Sequence, residues 1–112
     1  MARGISWIKA TLKDFQRFPE AVQDRAIFAL RAAARGEKPE TVKPMKGLGS
    51  GIFEIYLRHK GDAFRVVYAV QLDRDVWVLH AFQKKSKAGI KTPAAETDLI
   101  RERIKRLKEQ LP

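Results

Sequence analysis

The chain contains no cysteine among its 112 residues. A disulfide framework, a zinc site built on cysteine and a thiol nucleophile are therefore excluded, and the composition fits a reducing compartment. No apolar run approaches the roughly 18 residues of a membrane span, and the N-terminal MARGISWIKATLKDF lacks the apolar core of a signal peptide. We therefore expect a soluble, cytoplasmic protein with no membrane partner.

Acidic residues are scarce: 13 Asp and Glu stand against 23 Lys and Arg, which gives a formal net charge of +10. Such a surplus favours a polyanionic partner, for example nucleic acid, although it also occurs in basic proteins that are merely soluble. The length and the hydrophobic content of 45% predict one domain over residues 1–112 with a single modest core.

The N-terminal third predicts a short strand followed by a helical hairpin. Residues 5–8 are apolar and β-prone. Thr11 is a candidate N-cap for a first helix that ends near Phe18, and Pro19 suits the first turn of a second helix. Gly36 is well placed to end that second helix. The apolar stripes of both helices need a sheet to cover.

The rest of the chain predicts a sheet and a closing helix. Residues 37–51 carry proline and glycine without periodicity, which predicts a loop, and residues 51–85 predict three consecutive antiparallel strands. Thr92 is a candidate N-cap and Pro93 a candidate first residue of the last helix. The expected fold is α+β: a small antiparallel sheet, made of the three-strand meander and the N-terminal strand, packed on the helical hairpin, with a C-terminal helix.

The first hairpin of the meander predicts a conflict of charge. A two-residue turn at Gly61-Asp62 places Arg58 directly opposite Arg65. Like charges opposed across strands repel, so the pair requires an acid. Glu54 or Asp62 can supply one within the protein, as an internal salt-bridge cluster, or an anionic ligand can supply it.

Alternation sorts the strands into an apolar face and a basic, open face. If the second turn centres on Asp73-Arg74, Trp77, Leu79 and Ala81 join the apolar face that packs on the hairpin. The other face then gathers Arg58, Arg65, His80 and Phe82 at one end, with Val76 and Val78 beside them, and Lys84 and Lys85 follow as the last strand ends.

This basic set suits the cleavage of a phosphodiester without a metal or a cofactor. Arginines can hold phosphate oxygens and stabilise the charge that develops on them. RNA carries its own nucleophile, the 2′-hydroxyl, so the protein need supply only a base and an acid, and histidine or a lysine can serve as either. The predicted products are a 2′,3′-cyclic phosphate and a 5′-hydroxyl. We also expect Arg65→Ala to fold normally and to lose cleavage.

The candidate site residues form two groups. The candidate catalytic residues are Arg58, Arg65, His80, Lys84 and Lys85. An aromatic ring on a sheet can stack an unpaired base, and lysines nearby can follow the backbone. The candidate nucleic-acid-binding residues are Lys43, Lys46, Tyr56, Phe82 and Lys87.

Three stretches, KPMKGLG, IFEIYLRHKGDAFRVVYAV and VWVLHAFQKKSKAGIKTP, closely resemble the RelE/ParE toxin superfamily, and most of all its phage-derived HigB-like branch. The resemblance covers nearly the whole chain. It is most specific at Glu54 with Arg58 in one strand, Arg65 with Tyr68 in the next, and LHAFQKK at the end of the third.

The resemblance implies a RelE/ParE-like toxin domain of a type II toxin–antitoxin pair. HigB-like members cleave mRNA on the ribosome without a metal, and a helix-turn-helix antitoxin holds them inactive. The alternatives are a ParE-like inhibitor of DNA gyrase, which shares the fold, and a nucleic-acid-binding module without catalysis. The basic sheet face favours the endoribonuclease.

Overall fold

Residues 2–84 and 92–112 are described in the computed structural model, and they form the α+β fold that the sequence predicts. Across these ranges, none of the helices combines the length and the apolar character that a membrane span requires. The elements in chain order are β1 (Ile5–Trp7), α1 (Lys9–Phe15), α2 (Glu20–Ala34), β2 (Val42–Pro44), β3 (Ile52–His59), β4 (Asp62–Ala69), β5 (Val76–Lys84) and α3 (Ala94–Gln110).

The five strands form one sheet in the order β1-β5-β4-β3-β2. The meander of β3, β4 and β5 is antiparallel, as predicted, and β1 pairs in parallel with β5. The sequence predicts a loop where β2 lies. Three residues are too few to show alternation, and β2 forms because Val42 lies opposite Ile55 and is buried with it.

The helix ends agree with the sequence only in part. Gly36 ends α2 as predicted, at a φ of +84° that glycine adopts without strain. Its N–H donates to the carbonyl of Ala33, and the N–H of Glu37 donates to that of Ala32, the paired bonds of a Schellman motif. Thr11 does not cap α1, because the helix begins two residues earlier. The N-cap of α3 is Pro93, and Thr92 lies before it.

The turn between β3 and β4 lies one residue earlier than predicted. Lys60 and Gly61 occupy its two central positions with φ values of +50° and +86°, and His59 pairs with Asp62. Positive φ at both central residues is typical of a type I′ turn, whose twist matches that of the flanking strands.

This turn changes the partners of both arginines. Arg58 lies opposite Ala63, and Arg65 lies opposite Tyr56, so the predicted pairing of Arg58 with Arg65 is wrong. The register is displaced by two residues. Because side chains alternate with a period of two, every residue of β3 and β4 stays on its predicted face.

A bulge in β5 moves two large side chains to the other face. Val67 pairs with His80 and Tyr68 with Val78, so Leu79 is the extra residue. Beyond the bulge, Val78 packs against the helical hairpin and Leu79 packs against α3. The prediction that Trp77 and Leu79 lie under the hairpin is therefore wrong.

Both faces of the sheet carry a core. On one face, the hairpin α1–α2 packs against apolar side chains that include Ile55, Leu57, Phe64 and Val66. On the other face, Ile100, Ile104 and Leu107 of α3 pack against β3, β4 and β5. The face predicted to be open is therefore covered over part of its length by α3.

Tyr68 lies in the hairpin-side core, is 1% exposed, and packs on Phe53 with 5.6 Å between ring centroids. Burial raises the pKa of Tyr68 from 10.0 to about 12. The folded state therefore holds the phenol proton more tightly than the unfolded state. The associated stability is complete below about pH 10 and is lost as the pH rises through about 12.

We expect the free energy of unfolding to fall by about 2 kcal/mol between about pH 10 and pH 12 because Tyr68 ionises. Tyr68→Phe removes the titrating hydroxyl, so its curve should lack this part of the decline. Urea denaturation of both proteins at several pH values measures the difference between their two curves. The contributions of the lysines and Tyr56 cancel because both proteins share them. Parallel curves for the two proteins would contradict the prediction.

Candidate functional site

The strands β3, β4 and β5 present three cross-strand rows on the side of the sheet that α3 partly covers. Directly opposed residues share a face, so each row is a line of neighbouring side chains. The first row is Arg58–Ala63–Lys84, the second is Tyr56–Arg65–Phe82, and the third is Glu54–Val67–His80. We call these nine residues the basic face.

The basic face has an outer and an inner layer. Arg58 is exposed, and Tyr56 and Lys84 are half-buried, so these three form the outer layer. Arg65 is 1% exposed and His80 is 3% exposed, and both lie in the inner layer. The structure thus brings four predicted catalytic residues together, Arg58, Arg65, His80 and Lys84, but gives only some of them access to solvent.

Arg65 takes part in a buried ion pair. Its Nη1 donates to Glu54 Oε1 at 3.1 Å and to Thr92 Oγ1 at 3.1 Å, and Thr92 Oγ1 donates to Glu54 Oε2 at 2.9 Å. The ring of Tyr56 lies 5.0 Å from the guanidinium carbon and makes a cation–π contact with it. Arg65 and Glu54 therefore form an internal salt bridge, which is one of the two ways of neutralising the arginines that the sequence allows.

Both ring nitrogens of His80 have partners. Nδ1 lies 3.1 Å from Arg103 Nη1, and because arginine only donates, Nδ1 accepts. The hydrogen-bond network therefore assigns the ring proton to Nε2, which donates to Glu96 Oε1 at 2.5 Å. The ring stacks on Phe82 with 5.0 Å between centroids. This arrangement describes a neutral imidazole in one fixed orientation.

Arg103 joins α3 to β5 and α1. Besides His80, its Nη1 contacts the carbonyl of Leu79 at 2.9 Å and Thr11 Oγ1 at 3.0 Å. Thr11 Oγ1 in turn donates to the same carbonyl at 2.7 Å, so this buried hydroxyl has a hydrogen-bond partner. Burial lowers the pKa of Arg103, whereas the carboxylates of Asp14 and Glu96 raise it, and the guanidinium remains charged.

Three residues of the site were not found from the sequence: Thr92 as a partner of Arg65, and Glu96 and Arg103 as partners of His80. Glu96 and Arg103 lie seven residues apart and so share one face of α3. That spacing was available in the sequence. The spacing does not predict that this helix face docks over His80, because docking depends on the position of α3 on the sheet.

The remaining predicted residues lie around the basic face or outside the described ranges. Lys43 is exposed on β2 opposite Glu54, so it extends the third row, and Lys46 is exposed just beyond β2. Lys85 and Lys87 lie outside the described residues. Within residues 2–84 and 92–112, no cluster of three histidine or acidic side chains could hold a metal ion.

A protein-family model described as "Phage derived protein Gp49-like (DUF891)" matches residues 13–105. No curated protein matches the chain. Among solved structures, a doubly substituted variant of the E. coli toxin RelE in the free state is 20% identical, with a TM-score of 0.64 over 95% of this chain and 98% of that one. The isolated E. coli RelE toxin is 18% identical, with a TM-score of 0.60 over 90% and 98%. At these identities the likeness shows a shared fold.

Proposed function

We propose that this chain, which belongs to the phage-derived Gp49-like family, is the toxin of a type II toxin–antitoxin pair and cleaves mRNA. The family and the fold confirm the resemblance to the RelE/ParE superfamily. In the proposal, the substrate is mRNA on a translating ribosome in the cytoplasm, and a helix-turn-helix antitoxin blocks the activity. Neither a metal nor a cofactor takes part.

The first row of the basic face carries this proposal. Arg58 and Lys84 flank Ala63, and two strand spacings place their backbones about 10 Å apart. Both long side chains can therefore reach one phosphodiester group above the small alanine. Arginine can bind two phosphate oxygens at once, and lysine adds a point charge. Such a pair stabilises the negative charge that grows on the oxygens as the 2′-oxygen attacks.

The second and third rows support the first. The ring of Tyr56 is half-buried, so one part of it is available to stack an unpaired base while the other contacts Arg65. Arg65 and His80 lie beneath, where they fix Tyr56 and Phe82. In the proposed reaction these buried groups position the residues that touch RNA. Lys43 and Lys46 lie where the RNA backbone would continue.

Arg58→Ala is expected to reduce cleavage about 100-fold, because it removes a contact to the developing phosphate charge. The measurement is the rate at which new mRNA 5′ ends appear on translating ribosomes. Arg31→Ala is the matched control, since Arg31 is an exposed arginine on α2, across the sheet from the basic face. It should cleave at the rate of the unsubstituted protein.

Equal losses in both variants would contradict the site, because a general loss of positive charge would then explain them. Intact mRNA with the unsubstituted protein would contradict the activity itself. If gyrase–DNA breaks accumulate instead, the chain is an inhibitor of DNA gyrase. If mRNA is bound without being cut, it is a nucleic-acid-binding module.

A further inference from the structure

We propose that Glu96 is the general base of the cleavage step and that His80 and Arg103 are positioning residues behind it. This inference rests on the proposed function and deepens it. The general base must reach the 2′-hydroxyl of the RNA through a hydrogen bond. Access to solvent and the direction of the hydrogen bonds identify the group that can do so.

His80 is the residue of the basic face whose chemistry best suits proton transfer, but both of its ring nitrogens are engaged. The lone pair that would accept a proton is on Nδ1, and it faces the cationic Arg103 at 3.1 Å. The side chain of His80 is only 4% exposed, whereas that of its partner Glu96 is 32% exposed. The group that an RNA hydroxyl can reach is therefore the carboxylate that His80 holds.

The hydrogen bonds run in one direction toward Glu96. Arg103 donates to His80 Nδ1, and His80 donates from Nε2 to Glu96 Oε1. The carbonyl of Leu79 accepts from Arg103 and fixes the guanidinium, and stacking on Phe82 fixes the ring of His80. A carboxylate held in this way keeps one orientation, which is what a base needs to act on a bound substrate.

Glu96 lies at the edge of the basic face, where the second and third rows meet the start of α3. It is in the first turn of α3, four residues after Thr92, which contacts Arg65 in the second row. Within the described residues, the other carboxylate that bonds a side chain of these rows is Glu54, itself in the third row, which is 9% exposed and is bound by Arg65 and Thr92. Glu96 is thus the carboxylate that combines a fixed orientation with access to solvent.

The proposed step balances without a further reactant. Glu96 takes the proton from the 2′-hydroxyl, and the 2′-oxygen forms a bond to phosphorus while the bond from phosphorus to the 5′-oxygen breaks. The ammonium group of Lys84 gives a proton to the departing 5′-oxygen. The products are a 2′,3′-cyclic phosphate and a 5′-hydroxyl, after which Glu96 loses its proton to water and Lys84 regains one.

The test is Glu96→Gln in single-turnover cleavage of a defined mRNA on programmed ribosomes near neutral pH. The amide oxygen of glutamine can still accept from His80 Nε2, so the hydrogen-bond chain is kept while the base is lost. We expect the rate at saturating protein to fall about 100- to 1000-fold, with half-saturation changed by less than about twofold.

Glu102→Gln is the matched control. Glu102 is an exposed glutamate of the same helix, paired with Arg106 at 3.3 Å, and the substitution changes the net charge equally. It should cleave at the normal rate with the normal half-saturation. His80→Gln tests the positioning role: it should slow the reaction at saturating protein about tenfold, less than Glu96→Gln does, with half-saturation unchanged, because Glu96 remains.

The outcomes separate this inference from the proposed function. If the unsubstituted protein cleaves and Glu96→Gln cleaves equally fast, the role of Glu96 is overturned and the function stands. If His80→Gln loses more of the rate at saturating protein than Glu96→Gln does, His80 is the base. If the unsubstituted protein leaves mRNA intact, both proposals fall. Rates are corrected for the folded fraction, measured by thermal unfolding of each variant, so that instability cannot imitate the loss of a base.

Discussion

Arg65→Met is expected to lower the free energy of unfolding by about 3–5 kcal/mol. The side chain of Arg65 is 1% exposed and that of its partner Glu54 is 11% exposed. Methionine retains most of the apolar stem but leaves the Glu54 carboxylate buried without its cation. Thr92 still donates to that carboxylate, but a hydroxyl does not replace a charge. Urea denaturation near neutral pH measures the loss.

A double-mutant cycle isolates the ion pair from the rest of the site. Glu54→Leu combined with Arg65→Met removes both charges, so the double variant should recover most of the stability that Arg65→Met loses. Arg35→Met is the matched control, because Arg35 pairs with Glu37 at a similar distance, 3.0 Å, with both side chains exposed. No measurable change is expected there. A double variant whose loss equals the sum of the single losses would contradict this account of Arg65.

The burial of Arg65 also changes what its substitution can reveal about function. The sequence suggests that Arg65→Ala folds normally and loses cleavage, but a buried ion pair makes this variant unstable for reasons unrelated to RNA. Loss of cleavage would then not distinguish a contact to substrate from a loss of fold. Arg58, which is exposed in the first row, is the sharper probe of the same face.

The faces of β3 and β4 could be predicted from the sequence despite an error in register. The turn at Lys60-Gly61 displaces the pairing by two residues, and a period of two leaves each side chain on its side. The bulge at Leu79 could not be predicted in this way. It adds one residue, which inverts the remainder of β5, and it is set by packing of Val76 and Val78 against a distant hairpin.

The candidate site shows the same difference between features that local alternation predicts and features that distant packing sets. Arg65, His80 and Phe82 were grouped correctly because neighbouring strands bring them together by local alternation. Their burial was not predicted, since it depends on a distant part of the chain: Thr92, just before α3, contacts Arg65 from 27 residues away, and Glu96 of α3 contacts His80 from 16 residues away. Alternation assigns a side chain to a face, but the element that covers the face decides whether that side chain meets solvent or a partner.

Because α3 supplies that cover, its docking is the second feature with a large expected effect. Ile100 is fully buried and packs in the α3-side cluster with Val67 and Leu79. Ile100→Ala is expected to lower the free energy of unfolding by about 3 kcal/mol, through lost apolar burial and the cavity that remains. The measurement is again urea denaturation.

Leu99→Ala is the control for Ile100→Ala, since Leu99 is the preceding residue of the same helix and is 39% exposed. It loses less burial and leaves no closed cavity, so its effect should be smaller than about 1 kcal/mol. Similar losses in the two variants would contradict the assignment of this helix face to the core.

Hydrogen exchange adds a second measure: amides of α3 should exchange faster in Ile100→Ala than those of α2, because α2 packs on the opposite face of the sheet. Since Glu96 and Arg103 lie on α3, a helix loosened in this way would also release His80 from both partners, which links the apolar contact of Ile100 to the polar contacts at the edge of the basic face.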